Sequence, residues 1–118
     1  MADKTVMIID DDADTREVLK LILQMEGYTV RIGKDVTDLY EIEKNPPGLI
    51  LLDNWLDGKT GHDICFQLKI TPKTAAIPVV LISASLNLGR TAESCRADGF
   101  ICKPFDNDDL LQTVARFF

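Results

Sequence analysis

Six side chains in this sequence are of the types that move phosphoryl groups: the acidic run Asp10-Asp11-Asp12, then Asp53, Ser83 and Lys103. Carboxylates held close together repel one another and resist shared ionisation unless a cation neutralises them, and an all-oxygen ligand set with room for water suits Mg²⁺. A metal alone leaves the ammonium and the hydroxyl unexplained. Phosphoryl transfer requires the equatorial oxygens to be neutralised and held around one nucleophile, which is work for a metal, an ammonium and a hydroxyl together. Asp53, alone after Leu51-Leu52, is the candidate nucleophile. Taken singly, each feature has a plainer reading. An acidic run often opens a helix, as Asp12 and Asp14 are expected to do, and a lone aspartate often sits in a turn. Their weight comes from being brought together.

The elements that could bring them together are legible as alternating patterns. Four short apolar runs lack polar alternation: Val6-Met7-Ile8-Ile9, Leu49-Ile50-Leu51-Leu52, Val79-Val80-Leu81-Ile82 and Phe100-Ile101-Cys102. Such runs predict strands buried on both faces of a parallel sheet. Thr29-Val30-Arg31-Ile32 alternates more and reads as an edge strand. Between them lie helical patterns. Asp14 and Glu17 suggest a capping pair for a first helix with Val18, Ile22 and Met25 as its stripe, stopped at Gly27. Val36, Leu39 and Tyr40 mark a second, closed by Asn45-Pro46-Pro47-Gly48; Thr60 and Asp63 open a third carrying Ile64, Cys65 and Leu68. A shorter fourth is expected over residues 91–97. A fifth, with Leu110, Val114 and Phe117 on one stripe, follows acidic residues that suit a positive helix N-terminus.

Five βα repeats predict an α/β fold of the flavodoxin-like, doubly wound (βα)5 kind, with a five-stranded parallel sheet in the order 2-1-3-4-5. Ligands of such sheets bind outside the carboxyl ends of the strands. Those ends are where the acidic run, Asp53, Ser83 and Lys103-Pro104 fall.

Composition limits the alternatives. At 118 residues, 46% hydrophobic and 27% charged, the chain fits one domain over residues 1–118 with enough core to fold without disulfide or structural metal. Nineteen acidic against thirteen basic residues, with no basic cluster, argue against direct nucleic-acid binding. No apolar run approaches the ~20 residues of a membrane span and no secretory leader opens the chain, so no membrane association and a cytoplasmic location are expected. Cys65, Cys95 and Cys102 match neither zinc nor redox spacing and read as buried, reduced thiols. His62 has no acid–base partner nearby in sequence and reads as exposed surface. The seven glycines form no nucleotide-cradling pattern.

With these pieces in place, the sequence resembles the receiver domain of two-component response regulators, in its single-domain, chemotaxis-regulator-like form. The resemblance rests on Ile8-Ile9-Asp10-Asp11-Asp12, Leu51-Leu52-Asp53 with Gly61 eight residues on, Pro78 to Ser83-Ala84, and Gly99-Phe100 leading into Lys103-Pro104-Phe105. It implies that Asp53 accepts a phosphoryl group from the phosphohistidine of a sensor histidine kinase or a histidine phosphotransfer protein. It implies Mg²⁺ held by Asp10, Asp11, Asp53 and the backbone carbonyl of Trp55. Ser83 takes the place of the switch hydroxyl, Lys103 that of the invariant lysine, and Phe100 that of the aromatic switch that reshapes the face made by the fourth helix, fifth strand and fifth helix for a downstream effector. A cis Lys103–Pro104 bond is implied as well.

The sequence departs from the family pattern in the loop after the acceptor. Asp57-Gly58 stands where proline is usual, which implies a more flexible loop and an added negative charge, and Trp55 stands two residues after Asp53. Two rival readings follow. An aspartyl-phosphate phosphatase of the haloacid dehalogenase type would place its nucleophile in Asp10-Asp11-Asp12, but the small hydrophobic and Thr/Val signature beyond it is missing. A pseudo-receiver would bind partners unphosphorylated, yet its acceptor positions here are filled with competent side chains. Residues 110, 111, 114, 117 and 118 offer more apolar surface than one stripe uses, so Leu111 and Phe118 are expected on the partner face.

Overall fold

The computed structural model describes residues 4–10, 12–33, 39–53, 55–56, 59–84 and 88–118, with backbone alone at 39–41, 55–56, 59–60, 88–89 and 91. Five strands, β1 (Thr5–Ile9), β2 (Thr29–Gly33), β3 (Leu49–Asp53), β4 (Val79–Ser83) and β5 (Gly99–Cys102), form one sheet in the order β2-β1-β3-β4-β5, every pair parallel. The helices are α1 (Ala13–Met25), α2 (Leu39–Lys44), α3 (Gly61–Ile70), α4 (Leu88–Ser94) and α5 (Asn107–Ala115). The predicted flavodoxin-like order is the observed one.

Alternation along the strands divides the core in two. Val6, Ile8, Leu49, Leu51, Val80, Ile82 and Ile101 pack with Leu19, Leu23, Leu110 and Val114 of α1 and α5. Met7, Ile9, Ile50, Leu52, Val79 and Leu81 pack with Ile42, Ile64, Cys65, Leu68, Ala92 and Cys95 on the side of α2, α3 and α4. The central strands β1, β3 and β4 are apolar and buried on both faces, as continuous runs predict.

Several expectations are corrected. In α1 the core-facing pair is Leu19 and Leu23 with Ile22 half-buried, while Val18 and Met25 are 53% and 85% exposed. Both apolar stripes have helical spacing, so periodicity alone could not choose between them. The helix is capped by Asp12 rather than Asp14: its carboxylate accepts the Asp14 N–H and the Thr15 hydroxyl. Gly27 ends α1 as expected, at φ +92°, with the Tyr28 N–H returning to the Leu23 carbonyl. The fourth helix starts and stops three residues before the expected span. Arg96 takes φ +64° and the Ala97 N–H bonds the Ala92 carbonyl, which closes α4 early. β5 has only Ile101 buried, since an edge strand has a neighbour on one side only.

A feature absent from the sequence reading is a two-stranded antiparallel ribbon, Trp55–Leu56 with Lys59–Thr60. The dipeptide between its strands is Asp57-Gly58, the composition most favoured for two-residue hairpin connections. Asp57 and Gly58 themselves lie outside the described residues, as do Asp11 and Val36.

Candidate phosphoacceptor site

The register of the sheet assembles the site. Ile9 pairs with Leu52, so the next residues, Asp10 and Asp53, leave adjacent strands side by side; Asp53 in turn pairs with Ile82, one residue before Ser83. Ser83 pairs with Cys102, and the Lys103 N–H donates to the Ser83 carbonyl at 2.9 Å. Lys103 stands just past β5, two strands from Asp53, and its long stem spans the end of β4. Its Nζ lies 3.7 Å from Asp53 Oδ1, with the Asp53 side chain only 12% exposed. The Lys103–Pro104 peptide is cis, as the family pattern implied.

Asp10 is 2% exposed. Its Oδ1 accepts the Asp12 N–H at 2.9 Å, while Arg16 donates through Nη1 to its backbone carbonyl at 2.7 Å. The turn from β1 into α1 is thereby held from both sides. Asp12 faces solvent and serves the helix: the Thr15 hydroxyl and then the Asp14 N–H hold its carboxyl below the usual carboxylate range. Of the acidic run, then, Asp10 is buried at the end of β1, next to the strand that carries Asp53, and Asp12 caps α1.

A hard cation suits what is present. Asp10 and Asp53 bring two largely buried carboxylates to neighbouring strand ends, oxygen ligands of the kind Mg²⁺ takes. Among the described residues no three His, Cys, Asp or Glu side chains form a metal cluster. Asp11, the third acid of the expected set, and the Trp55 side chain lie outside them; the Trp55 backbone opens the ribbon directly beyond the acceptor.

Ser83 is buried at 3% exposure. It points to the α3–α4 side of the sheet, sharing that side with Leu81, whose partner across β4–β5 is Phe100. Phe100 is therefore two residues along the same side from the row of Ser83. Its ring is 47% exposed, turned outward between grooves walled by α4 and by α5. A further groove, of about 380 Å³, opens beside Lys103 and is lined by Thr15, Val18, Ile22, Pro104 and Phe105.

Some expected and unexpected placements complete the picture. Cys65 and Cys95 are buried, but Cys102 is exposed, because Ile101 takes the core side of the edge strand and leaves its neighbours facing outward. His62 has one partner far off in sequence and one beside it: Nε2 lies 2.7 Å from Ser94 Oγ on α4, and Nδ1 3.4 Å from Oδ1 of the adjacent Asp63, so the expectation of no acid–base partner nearby is corrected. Leu111 is half-buried in the α1–α5 core. Phe118 packs its ring on Tyr28, 5.3 Å between centroids, on the α1–β2 side instead of the face near Phe100. At the amino ends of β4 and β5, Lys69 pairs with Asp98 at 2.6 Å and donates to the Ile77 carbonyl at 2.7 Å. Asp98 also accepts the Val79 N–H. Sequence alone gave no sign of that clamp, since its members are 29 positions apart.

Known proteins share both fold and sequence with this chain. The receiver domain of NtrX from Brucella abortus is 33% identical, over 95% of this chain and 96% of that one, with a TM-score of 0.84. CheY4 of Vibrio cholerae superimposes at a TM-score of 0.89 over 99% of this chain and 100% of that one; at 22% identity the likeness bears on the fold alone. The phosphate regulon transcriptional regulatory protein PhoB of Pseudomonas aeruginosa is 32% identical over 114 residues, 94% of this chain and 50% of that protein. The DNA-binding response regulator MtrA of Mycobacterium leprae is 31% identical over 112 residues, 92% and 48% respectively. The chain spans about half the length of these curated relatives. The response regulator receiver domain profile matches residues 6–115, and the chain belongs to that family of two-component signalling domains.

Proposed function

We propose that residues 1–118 form one receiver unit that works in the cytoplasm as a Mg²⁺-dependent phosphoacceptor switch, with Asp53 as acceptor. The observation that carries this reading is the pairing of Lys103 Nζ with the shielded Asp53 carboxylate, 3.7 Å away, next to Asp10. In the proposed reaction an Asp53 oxygen bonds to phosphorus as the phosphohistidine P–N bond breaks, and the electron pair leaves with the imidazole nitrogen. The Lys103 ammonium takes a share of the charge on the phosphoryl oxygens, and the Ser83 hydroxyl donates to one of them. Mg²⁺ held by Asp10, Asp11, Asp53 and the Trp55 carbonyl would supply charge neutralisation on carboxylates and phosphoryl group alike. Attack by water on phosphorus later returns the carboxylate and frees phosphate, so the domain catalyses only its own modification and its reversal.

The groove between α1 and residues 103–105 is walled in part by Lys103, the partner of the acceptor carboxylate, and is the natural seat for a sensor histidine kinase or histidine phosphotransfer protein. Output follows from the shared sheet side of Ser83 and Phe100: drawing Ser83 toward the phosphoryl group empties space that the Phe100 ring can enter. That movement alters the α4-β5-α5 face read by an effector protein. PhoB and MtrA are transcriptional and DNA-binding regulators; for this acidic domain we propose no nucleic-acid contact of its own.

Incubation with acetyl phosphate and Mg²⁺ tests the reading. A single labile phosphoryl on Asp53, absent from Asp53→Asn, is the expected result. Continuous turnover without a trapped species would point to a phosphatase, and no uptake at all to an unphosphorylated binding module.

A further inference from the structure

Two thiols meet beneath the α3–α4 junction. Cys65 lies on α3 and Cys95 directly follows α4; both have no exposed surface, and both belong to the same side of the core. Cys65 Sγ donates to the Cys95 carbonyl at 3.4 Å, and Cys95 Sγ donates to the Ala92 carbonyl at 3.5 Å. The thiols are also partners of each other: burial first, and then the Cys95 thiol, push the Cys65 thiol well above its ordinary range. Above them, His62 of α3 reaches Ser94 of α4 at 2.7 Å, so the two helices are already in register at this point.

We propose that Cys65 and Cys95 are a modification site: a hydroperoxide converts them to a reversible intramolecular disulfide that fastens α4 to α3. One thiolate attacks a peroxide oxygen, the O–O bond breaks, and a sulfenic acid forms as the first water or alcohol leaves. The second thiol then attacks the sulfenic sulfur, the S–S bond forms, and water leaves. Both sulfurs are oxidised and the peroxide is reduced, with two thiol protons passing to the departing oxygens. With the Cys65 sulfur already 3.4 Å from the Cys95 backbone carbonyl, a side-chain rotation and a small shift of α4 bring the sulfurs together.

Access comes from α4. The helix is seven residues long, and among the described side chains it holds to the core through Ala92, followed by Cys95, while Arg90, Glu93 and Ser94 face water. A segment so lightly anchored opens at lower free energy than the sheet beneath it. Closed, the Cys65 thiol stays protonated and slow; opened to water, it loses the burial that holds its acidity down and reacts. The bond then closes the door that admitted the oxidant. Because Arg90, Ala92 and Glu93 wall the groove that Phe100 faces, an oxidised pair fixes that wall. This consequence for output rests on the phosphoacceptor reading, whereas formation of the bond does not.

The test uses the full chain carrying Cys102→Ser, which removes the exposed thiol and leaves the core intact. It is treated with hydrogen peroxide and compared with the same sample re-reduced by dithiothreitol. The expected result is loss of two hydrogens by intact mass, a Cys65–Cys95 linked peptide, and α4 amide exchange slowed by about tenfold or more, all reversed by reductant. Persisting free thiols, or sulfinic acids in place of the link, would overturn the proposal, as would a link that leaves α4 exchange unchanged. Beryllofluoride with Mg²⁺ then separates the two readings. If the reduced chain shows no response at Phe100 by NMR, the phosphoacceptor reading fails while the bond stands. If reduced and oxidised chains respond alike, the bond forms without restraining output and the lock is refuted.

Discussion

Lys103 reaches Asp53 by passing over β4, a strand to which neither residue belongs, and leaves 3.7 Å between ammonium and carboxylate. That gap is wide for a tight ion pair and leaves both groups able to turn toward a third charge. On the proposed reading, the lysine is placed to serve a group that arrives on Asp53 as well as Asp53 itself.

Lys103→Met keeps the stem and removes the cation. Uptake of phosphoryl from acetyl phosphate should slow by about 10²-fold, comparable with the loss of one preorganised charge-stabilising group, while the circular dichroism spectrum is retained. Uptake at the parental rate would remove Lys103 from the reaction.

Asp12 gives a pH signature. Its carboxyl is held low by Thr15 and Asp14, so its stabilising effect is present above the unfolded carboxylate range and is lost as pH falls through the folded value. Asn caps helices about as well but does not titrate. Thermal midpoints of Asp12→Asn and parent should therefore converge or cross below about pH 4, where an unfolded aspartate protonates. Parallel profiles down to acid would contradict the cap assignment.

Lys69→Met leaves Asp98 without its partner and the Ile77 carbonyl without its donor. The lysine is largely buried and the aspartate is partly exposed, so a loss of about 2 kcal/mol is expected, below the range for fully buried pairs. Urea unfolding of the two single variants and the double variant measures the coupling; additivity would mean that the pair contributes nothing.

Two apolar positions in α1 should respond unequally. Leu19→Ala creates a cavity in the α1–α5 core and should cost about 2–5 kcal/mol, whereas Met25→Lys on the exposed side should stay within about 0.5 kcal/mol. Equal losses would restore the stripe that the sequence suggested.

That contrast also shows what the sequence could reveal. Strands were legible because β1, β3 and β4 each carry an unbroken apolar run, a pattern that a sheet covered on both faces requires. Asp10, Asp53, Ser83 and Lys103 were legible because each follows such a run, and topology places run-ends together. Helix orientation was not, since Val18 and Leu19 are both apolar and only the sheet decides which turns inward. The His62–Ser94 contact, the Lys69–Asp98 clamp and the Phe118–Tyr28 stacking join residues far apart in sequence, where no local pattern carries the information. The ribbon has a signal in the composition of Asp57-Gly58, which fits a loose loop and a two-residue hairpin connection alike.

Lys69 and Asp98 close the amino ends of β4 and β5, while Ser83 and Lys103 of the proposed phosphoacceptor site stand at the opposite ends of the same strands. Rigidity and reactivity are therefore separated by a strand's length of apolar side chains. If the proposed function holds, inheritance can act on them independently: changes that retune kinase choice or signal lifetime at one pole leave cohesion at the other in place, so divergence in signalling carries little penalty in folding.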